Sequence, residues 1–272
     1  MIKLRSISAF IIITVIGILW AIPLYVLIIG SLKDVREVLT TPIFLPPSKP
    51  NLNTFFITID SMLEALMNTS LEVLPAATIS AILGSLSAYA FYRYTSKIKD
   101  IILIVIAIAT YIPYQSVMVP LAIFIRSLGF YDTIWGVLLA FIIFYTPIAS
   151  LLLTIFVSSI PKELINAAEV DGASELTIFR KIVLPLLGPG LTSTIVFIVI
   201  QAWNNFFIPL ILVRGYEKHV TLKVYSYIGQ SGNLYNEMFS AALIASIPPL
   251  IVFIAMGKYF IRGLLTLSVG GR

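Results

Sequence analysis

Seven uncharged polar or phenolic side chains stand inside otherwise apolar runs: Tyr111, Tyr114 and Gln115 around Pro113, Tyr145 just before Thr146 and Pro147, and Gln201, Asn204 and Asn205 around Trp203. Amides and phenols donate and accept hydrogen bonds without carrying charge. With aromatic rings beside them they suit a solute that is uncharged, rich in hydroxyls and apolar on its ring faces, as sugars are. An amide buried without a partner costs about 1–3 kcal/mol, so each of these groups needs one. Hydrogen bonds between helices would supply partners at about 0.6 kcal/mol each; a polar, aromatic-walled path through the chain would supply them as well. Both readings are open from the residues alone.

A second polar group is compact. Residues 166–189 read NAAEVDGASELTIFRKIVLPLLGP. Pro161 suits a first helical turn with Ser158 or Ser159 as cap. Leu164, Ala167 and Ala168 then share a face, and two alanines make that face shallow enough for another surface to approach closely. Gly172 predicts a left-handed or sharply turning residue. A second short helix, from about Ser174 to Lys181, should lead back to the membrane at Leu184 and Pro185. Glu163, Glu169, Asp171 and Glu175 would be repelled by anionic headgroups, so a helix docked on protein fits better than one lying on lipid.

The elements that hold both groups follow from composition. The chain is 59% hydrophobic and only 11% charged, with a mean hydropathy of +1.01, against roughly 25% charged residues in soluble domains. Lipid must be its solvent, because a span needs about 20 apolar residues and the sequence holds six such runs: 7–30, 73–92, 101–125, 133–157, 191–213 and 238–257. The first is too long for a signal peptide and is read as a retained span. Pro185, Gly188, Pro189 and Gly190 should break the apolar stretch that begins at Ile182, so the fifth span starts at about Leu191. The expectation is an all-α, single-domain polytopic protein over residues 1–272. The segment from Ser31 to about Asn68 reads as an irregular outer loop with one short helix.

Basic residues set direction. With the N-terminus inside, eleven Lys and Arg fall in cytoplasmic segments and seven outside. Both termini are then cytoplasmic, and residues 161–185 lie on the inner face between spans 4 and 5. The outer segment 215–237 carries Tyr216, Tyr225, Tyr227 and Tyr235, and is expected to face an extracytoplasmic partner.

Energy must come from elsewhere. No G-x-x-x-x-G-K-[ST] phosphate loop is present. Glu72 and Asp132 sit at span ends, and ion-coupled carriers usually keep a charge inside the membrane. With no cysteine, disulfides and thiol chemistry are excluded. His219, the lone histidine, is expected to be a solvated loop residue, and no metal site is expected.

The 166–189 stretch resembles the EAA loop of ATP-binding-cassette importer permeases. Ala167, Ala168, Asp171, Gly172, Ala173, Ile182, Leu184 and Pro185 match its pattern. Six spans, Ser31-Leu32-Lys33, Asn68, Ser70, Trp203-Asn204 and Arg262-Gly263 extend the resemblance to the MalG-like permeases of carbohydrate importers. It implies a non-catalytic permease subunit of the cell membrane. It implies as partners two ATPase subunits that bind ATP and Mg, a second permease, an extracytoplasmic solute-binding protein and the lipid bilayer, with no nucleic acid. It implies a coupling role for Glu163, Asn166, Ala167, Ala168, Glu169, Asp171, Gly172 and Pro185. Asn166 stands where the family carries glutamate, so Glu163 or Glu169 is expected to supply that charge. A permease for another solute is the main alternative; an ion-coupled carrier or a six-span receptor is less favoured.

Overall fold

A computed structural model describes residues 2–229 and 235–269. They form helices α1 (Ile2–Leu32), α2 (Val35–Thr40), α3 (Leu52–Arg93), α4 (Lys97–Tyr111), α5 (Met118–Ser127), α6 (Ile134–Val157), α7 (Lys162–Val170), α8 (Glu175–Ile178), α9 (Leu184–Leu186), α10 (Gly188–Trp203), α11 (Phe207–Leu212), α12 (Val220–Gly229) and α13 (Tyr235–Val269). No strand occurs among the described residues. Four helices are long and apolar enough to cross a membrane, within Ile7–Leu32, Leu52–Arg93, Ile134–Val157 and Tyr235–Gly257; two bent helix pairs raise the number to as many as six.

The helix starts are written locally. Asn51, Ser96, Thr133 and Ser174 each cap one by accepting a backbone N–H with the side chain, which satisfies a donor the helix cannot. At the end of α1, buried Lys33 donates its Nζ to Thr41 Oγ1 and Pro42 O, both at 2.9 Å, and pins α2 and the outer loop under the first span.

The core is α3 against α6. Ala76, Ser80, Gly84 and Ala88 recur every four residues on α3 and are all buried. Small residues at that spacing let two membrane helices approach until backbones touch. A Cβ on Gly84 would lie 2.6 Å from Ala149 Cβ and 2.9 Å from Ser150 N, so the glycine is what permits the approach. Ser87 and Ser150 hydroxyls complete the contact at 2.6 Å.

The prolines open backbone carbonyls, and one of them is answered from afar. Pro249 has no N–H for the carbonyl of Ala245, four residues back. Trp203 Nε1–H donates to that oxygen at 2.9 Å, so the indole ties α10 to α13 at the proline defect. Trp203→Phe keeps most of the apolar volume and orphans the carbonyl; it should cost about 1–3 kcal/mol, read as a lower thermal midpoint of the detergent-solubilised protein.

Three expectations change. Residues 52–72 are not an irregular loop: α3 runs 42 residues, and the expected span 73–92 is only its second half. The cause is amphipathic spacing, with Phe55, Ile59, Met62 and Leu66 packed on the core and polar residues between them. The expected span 101–125 is two helices, α4 and the segment from Tyr114, bent by 97°. The expected span 191–213 starts earlier, at Gly188 after a 74° bend, and ends at Trp203, with α11 resuming at Phe207.

Candidate functional site

The two interrupted helices meet. At the first break, Ile112 and Pro113 leave the helix and Tyr114 swings onto Phe144 of α6 and Phe207 of α11, with ring centroids 5.8 and 6.3 Å away. At the second, Asn204 and Asn205 end α10. Asn205 Oδ1 accepts Ile208 N at 3.0 Å and so caps the start of α11. The buried Asn205 side chain also stands beside the Tyr114 and Tyr145 hydroxyls. Three candidates far apart in sequence thus form one uncharged cluster, walled by Phe141, Phe144, Phe206 and Phe207.

The other four candidates are not in that cluster. Tyr111, Gln115, Gln201 and Asn204 are exposed on this chain. Asn204 Nδ2 donates to Ile200 O at 2.8 Å, and its other groups point outward. Amides on a membrane helix cannot face hydrocarbon unpartnered without a penalty of about 1–3 kcal/mol or more. Their partners must be water, solute or a second protein.

The end of the bundle that holds the α11–α12 connection is latched. Asp132, with φ 64°, accepts Arg214 N at 2.6 Å and Lys218 Nζ at 2.7 Å. The Lys218 ammonium, then the Arg214 N–H, hold its carboxyl below the usual carboxylate range.

At the opposite end of the molecule, α7 is a free-standing nine-residue helix. Its end is a Schellman turn: Ala173 N donates to Ala168 O and Gly172 N to Glu169 O, both at 2.9 Å, with Gly172 at φ +76°. Pro161 precedes the helix as its cap residue without a side-chain bond; the Ser158 and Ser159 hydroxyls donate instead to Ile155 O and Phe156 O. The second helix is longer than expected, because α8 passes through a π-turn at Phe179–Val183 into α9, and Pro185 sits exposed at the first turn of α9.

Only Ile165 is buried on α7, and Ala168 is half-turned toward the same core cluster. The open face is therefore Glu163, Leu164, Asn166, Ala167, Val170 and Asp171, with Val170 89% exposed. Val170 was not singled out from sequence, although a valine amid polar residues on a short helix was a readable signal. Glu169 does not face outward as a spare acid: it pairs with Arg93 at the end of α3. Arg93 Nε also donates to Glu175 Oε1 at 2.9 Å, and Tyr89 Oη donates to Glu175 Oε2 at 2.6 Å. The Tyr89 hydroxyl chiefly holds the Glu175 carboxyl below its usual range; burial, the next largest effect, opposes it, and Arg93 adds to the lowering. Because that pKa is lowered, the clamp is intact at neutral pH and fails only as pH falls through the lowered value. Arg93 and Glu175 are 82 residues apart, and no local signal could have paired them.

His219 departs from expectation most. It is fully buried against Glu72 and Phe141, and burial pushes its pKa down to about 3. Loop position predicted solvent; the fold of α12 over α3 removed it. Glu72, expected at a span end, lies within the 42-residue α3 and is wholly buried.

Residues 80–266 match the family described as binding-protein-dependent transport system inner membrane component. The chain belongs to that family. As an inner membrane component it is the transmembrane part of an ATP-driven importer and not the ATPase. A glucose import system permease protein, GlcU, of Saccharolobus solfataricus is 43% identical over 95% of this chain and 93% of its own. An arabinooligosaccharides transport system permease, AraQ, of Bacillus subtilis is 29% identical over 94% and 92%. The fold is shared with a bacterial ABC transporter involved in import of the acidic polysaccharide alginate, at TM-score 0.77 and 21% identity over 95% of this chain and 97% of that one. It is shared more loosely with the MetNI methionine transporter, at TM-score 0.61 and 17% identity over 76% and 98%.

The Schellman turn can be probed by substitution. Gly172 has open space around it, so a substitution there strains only the backbone. A non-glycine residue at positive φ costs about 1–2 kcal/mol, and proline also removes the N–H that reaches Glu169 O. Gly172→Val and Gly172→Pro should insert at parent levels and lose most uptake, measured as membrane content against transport rate.

Proposed function

We propose that this chain is one permease of a sugar importer, and that the solute passes the uncharged cluster where the two helix breaks meet. The observation that carries the reading is the convergence of Tyr114, Tyr145 and Asn205 at those breaks, with the exposed amides Gln201 and Asn204 beside them. Broken helices at membrane depth persist only beside protein or a cavity. Phenyl rings and neutral amides match the apolar faces and hydroxyls of a pyranose and offer nothing to an ion. Fold alone does not choose the solute, since an alginate and a methionine transporter share it; the sugar reading rests on the side chains and on the relatives named for sugars.

In the assembly, a second permease covers the exposed faces of α4 and α10. Two ATPases, which carry the ATP and Mg, receive α7 from each permease, and a solute-binding protein docks outside. Both termini and α7 lie in the cytoplasm, and α12 lies outside in the cell membrane. Glu163 supplies the outward acid that Asn166 lacks. ATPase closure moves α7, and the Arg93 clamp passes the motion to α3. Cross-links from residues 215–228 should reach the binding protein and those from 93–99 should not; the reverse pattern would invert the topology.

The path is tested by single cysteines, since the native chain has none. In the assembled transporter, cysteines at 201 and 204 should react with a charged thiol reagent far faster than one at the outward-facing Ile104, and transported sugar should slow them. Equal rates at all three positions would sink the reading.

A further inference from the structure

Glu72 of α3 and His219 before α12 are completely buried, and Nε2 faces Oε2 at 3.7 Å. Neither the carboxyl oxygens nor Nε2 has a hydrogen-bond partner among the described residues. The permease activity as derived above uses neither group. The other side of the imidazole is engaged: Nδ1 lies 2.9 Å from Thr221 Oγ1, and Thr221 Oγ1 donates to Asn205 O at 3.0 Å. Thr221 has one hydroxyl hydrogen, and Asn205 receives it. The imidazole then serves the hydroxyl oxygen as an Nδ1–H donor, which leaves Nε2 an acceptor turned toward Glu72. The Thr221 N–H, 3.3 Å from Nδ1, is the longer contact and supplies that nitrogen only in the other tautomer. With the imidazole neutral, a buried neighbour is tolerated best when it too is uncharged.

The chain of contacts therefore runs from α3 through His219 and Thr221 to the carbonyl of Asn205. That residue also caps α11 and meets Tyr114 and Tyr145. The Thr69 hydroxyl accepts Val220 N at 2.9 Å, so α3 grips the segment at two points. The inner end of the same helix carries the Arg93 clamp on the α7–α8 segment.

We infer that Glu72, His219 and Thr221 are positioning residues: Glu72 packs against the imidazole, and His219 and Thr221 are hydrogen-bonded onward to the Asn205 carbonyl, an uncharged strut that sets where Asn205 and the bend between α10 and α11 stand relative to α3. The inference rests on the reading of that bend as part of the solute path. Removing one link frees the bend without touching a group that meets the solute.

The test uses the assembled transporter. His219→Leu and Thr221→Val keep volume and remove the link. Each should change the half-saturating sugar concentration for uptake by roughly three- to tenfold, the worth of one lost hydrogen bond. Each should also shift the thiol reaction rate of a cysteine at 204 by a comparable factor, with the amount of assembled transporter unchanged. Glu72→Gln keeps a neutral donor toward Nε2 and should preserve both readouts, while Glu72→Leu should not. Two outcomes overturn the inference: variants that lower only the amount of assembled protein, which marks the strut as merely structural, or abolition of uptake by Glu72→Gln, which means the carboxyl titrates in the cycle. If sugar fails to protect cysteines at 201 and 204 in the parent, the path reading fails, yet the thiol-rate shift still decides the strut.

Discussion

Ala167→Arg is expected to leave the chain folded in the membrane and to strip the ATPase from it. Ala167 is at the centre of the exposed face of α7, between Leu164 and Val170, and an alanine there lets a groove close directly onto the helix backbone. A long charged side chain would have to be accommodated in that contact. Overpacking alone costs about 1–3 kcal/mol, roughly a five- to hundredfold loss of affinity at 1.4 kcal/mol per decade, and burial of an unpaired guanidinium adds to it. Asn166→Ala removes only a polar group at a position where a surface pair is worth about 0–1 kcal/mol, so docking should survive. Ala168 is the wrong place to probe, because it is half-turned into the core cluster with Ile165 and an arginine there would disturb the chain itself. Co-purification of the ATPase with each variant gives the answer. Retention with Ala167→Arg and loss with Asn166→Ala would mean that the open face of α7 is not the docking face.

Gly84→Leu is expected to abolish accumulation of the folded permease. Even a Cβ at this position meets the Ala149 backbone carbon at 2.8 Å and Ser150 N at 2.9 Å. These are backbone atoms and cannot swing aside, so α3 and α6 would have to part. Their separation would empty the small-residue interface of Ala76, Ala77, Ser80, Ala81 and Ala88 and break the Ser87–Ser150 contact. The loss spreads beyond the about 1–3 kcal/mol of a local misfit toward the whole stability of a protein that has only about 5–15 kcal/mol to lose. Gly17→Leu is the matched control: nothing lies within 4 Å of its Cβ direction, and leucine there should leave yield unchanged. Fluorescence-detected size exclusion of the two variants is the measurement, and a monodisperse Gly84→Leu peak at parent yield would show that the α3–α6 contact tolerates separation.

Apolar run length determined that the chain lives in lipid and roughly where it crosses, since 20 or so uninterrupted apolar residues have no other use. The local chemistry of the α7 stretch was equally legible. A small-residue helix ending in Asp171-Gly172 is a one-turn problem, and the left-handed glycine with its Schellman bonds solves it within seven residues. The uncharged residues around Pro113, Pro147 and Trp203 were visible as a set, because polar groups in grease stand out one at a time.

Which of them meet was decided by tertiary structure alone. Asn205 joins Tyr114 and Tyr145 while its neighbour Asn204 faces outward, because a helix that ends between two asparagines turns them in different directions. Arg93 finds Glu169 and Glu175, and Trp203 finds the carbonyl that Pro249 leaves bare, only after helices distant in sequence have packed. His219 reversed its expected exposure for the same reason, and it is buried against Glu72. Burial is a property of what lies on top of a residue, and here it is α12 folding back over the first half of α3, an element whose amphipathic spacing begins twenty residues before the apolar run that gave the span away.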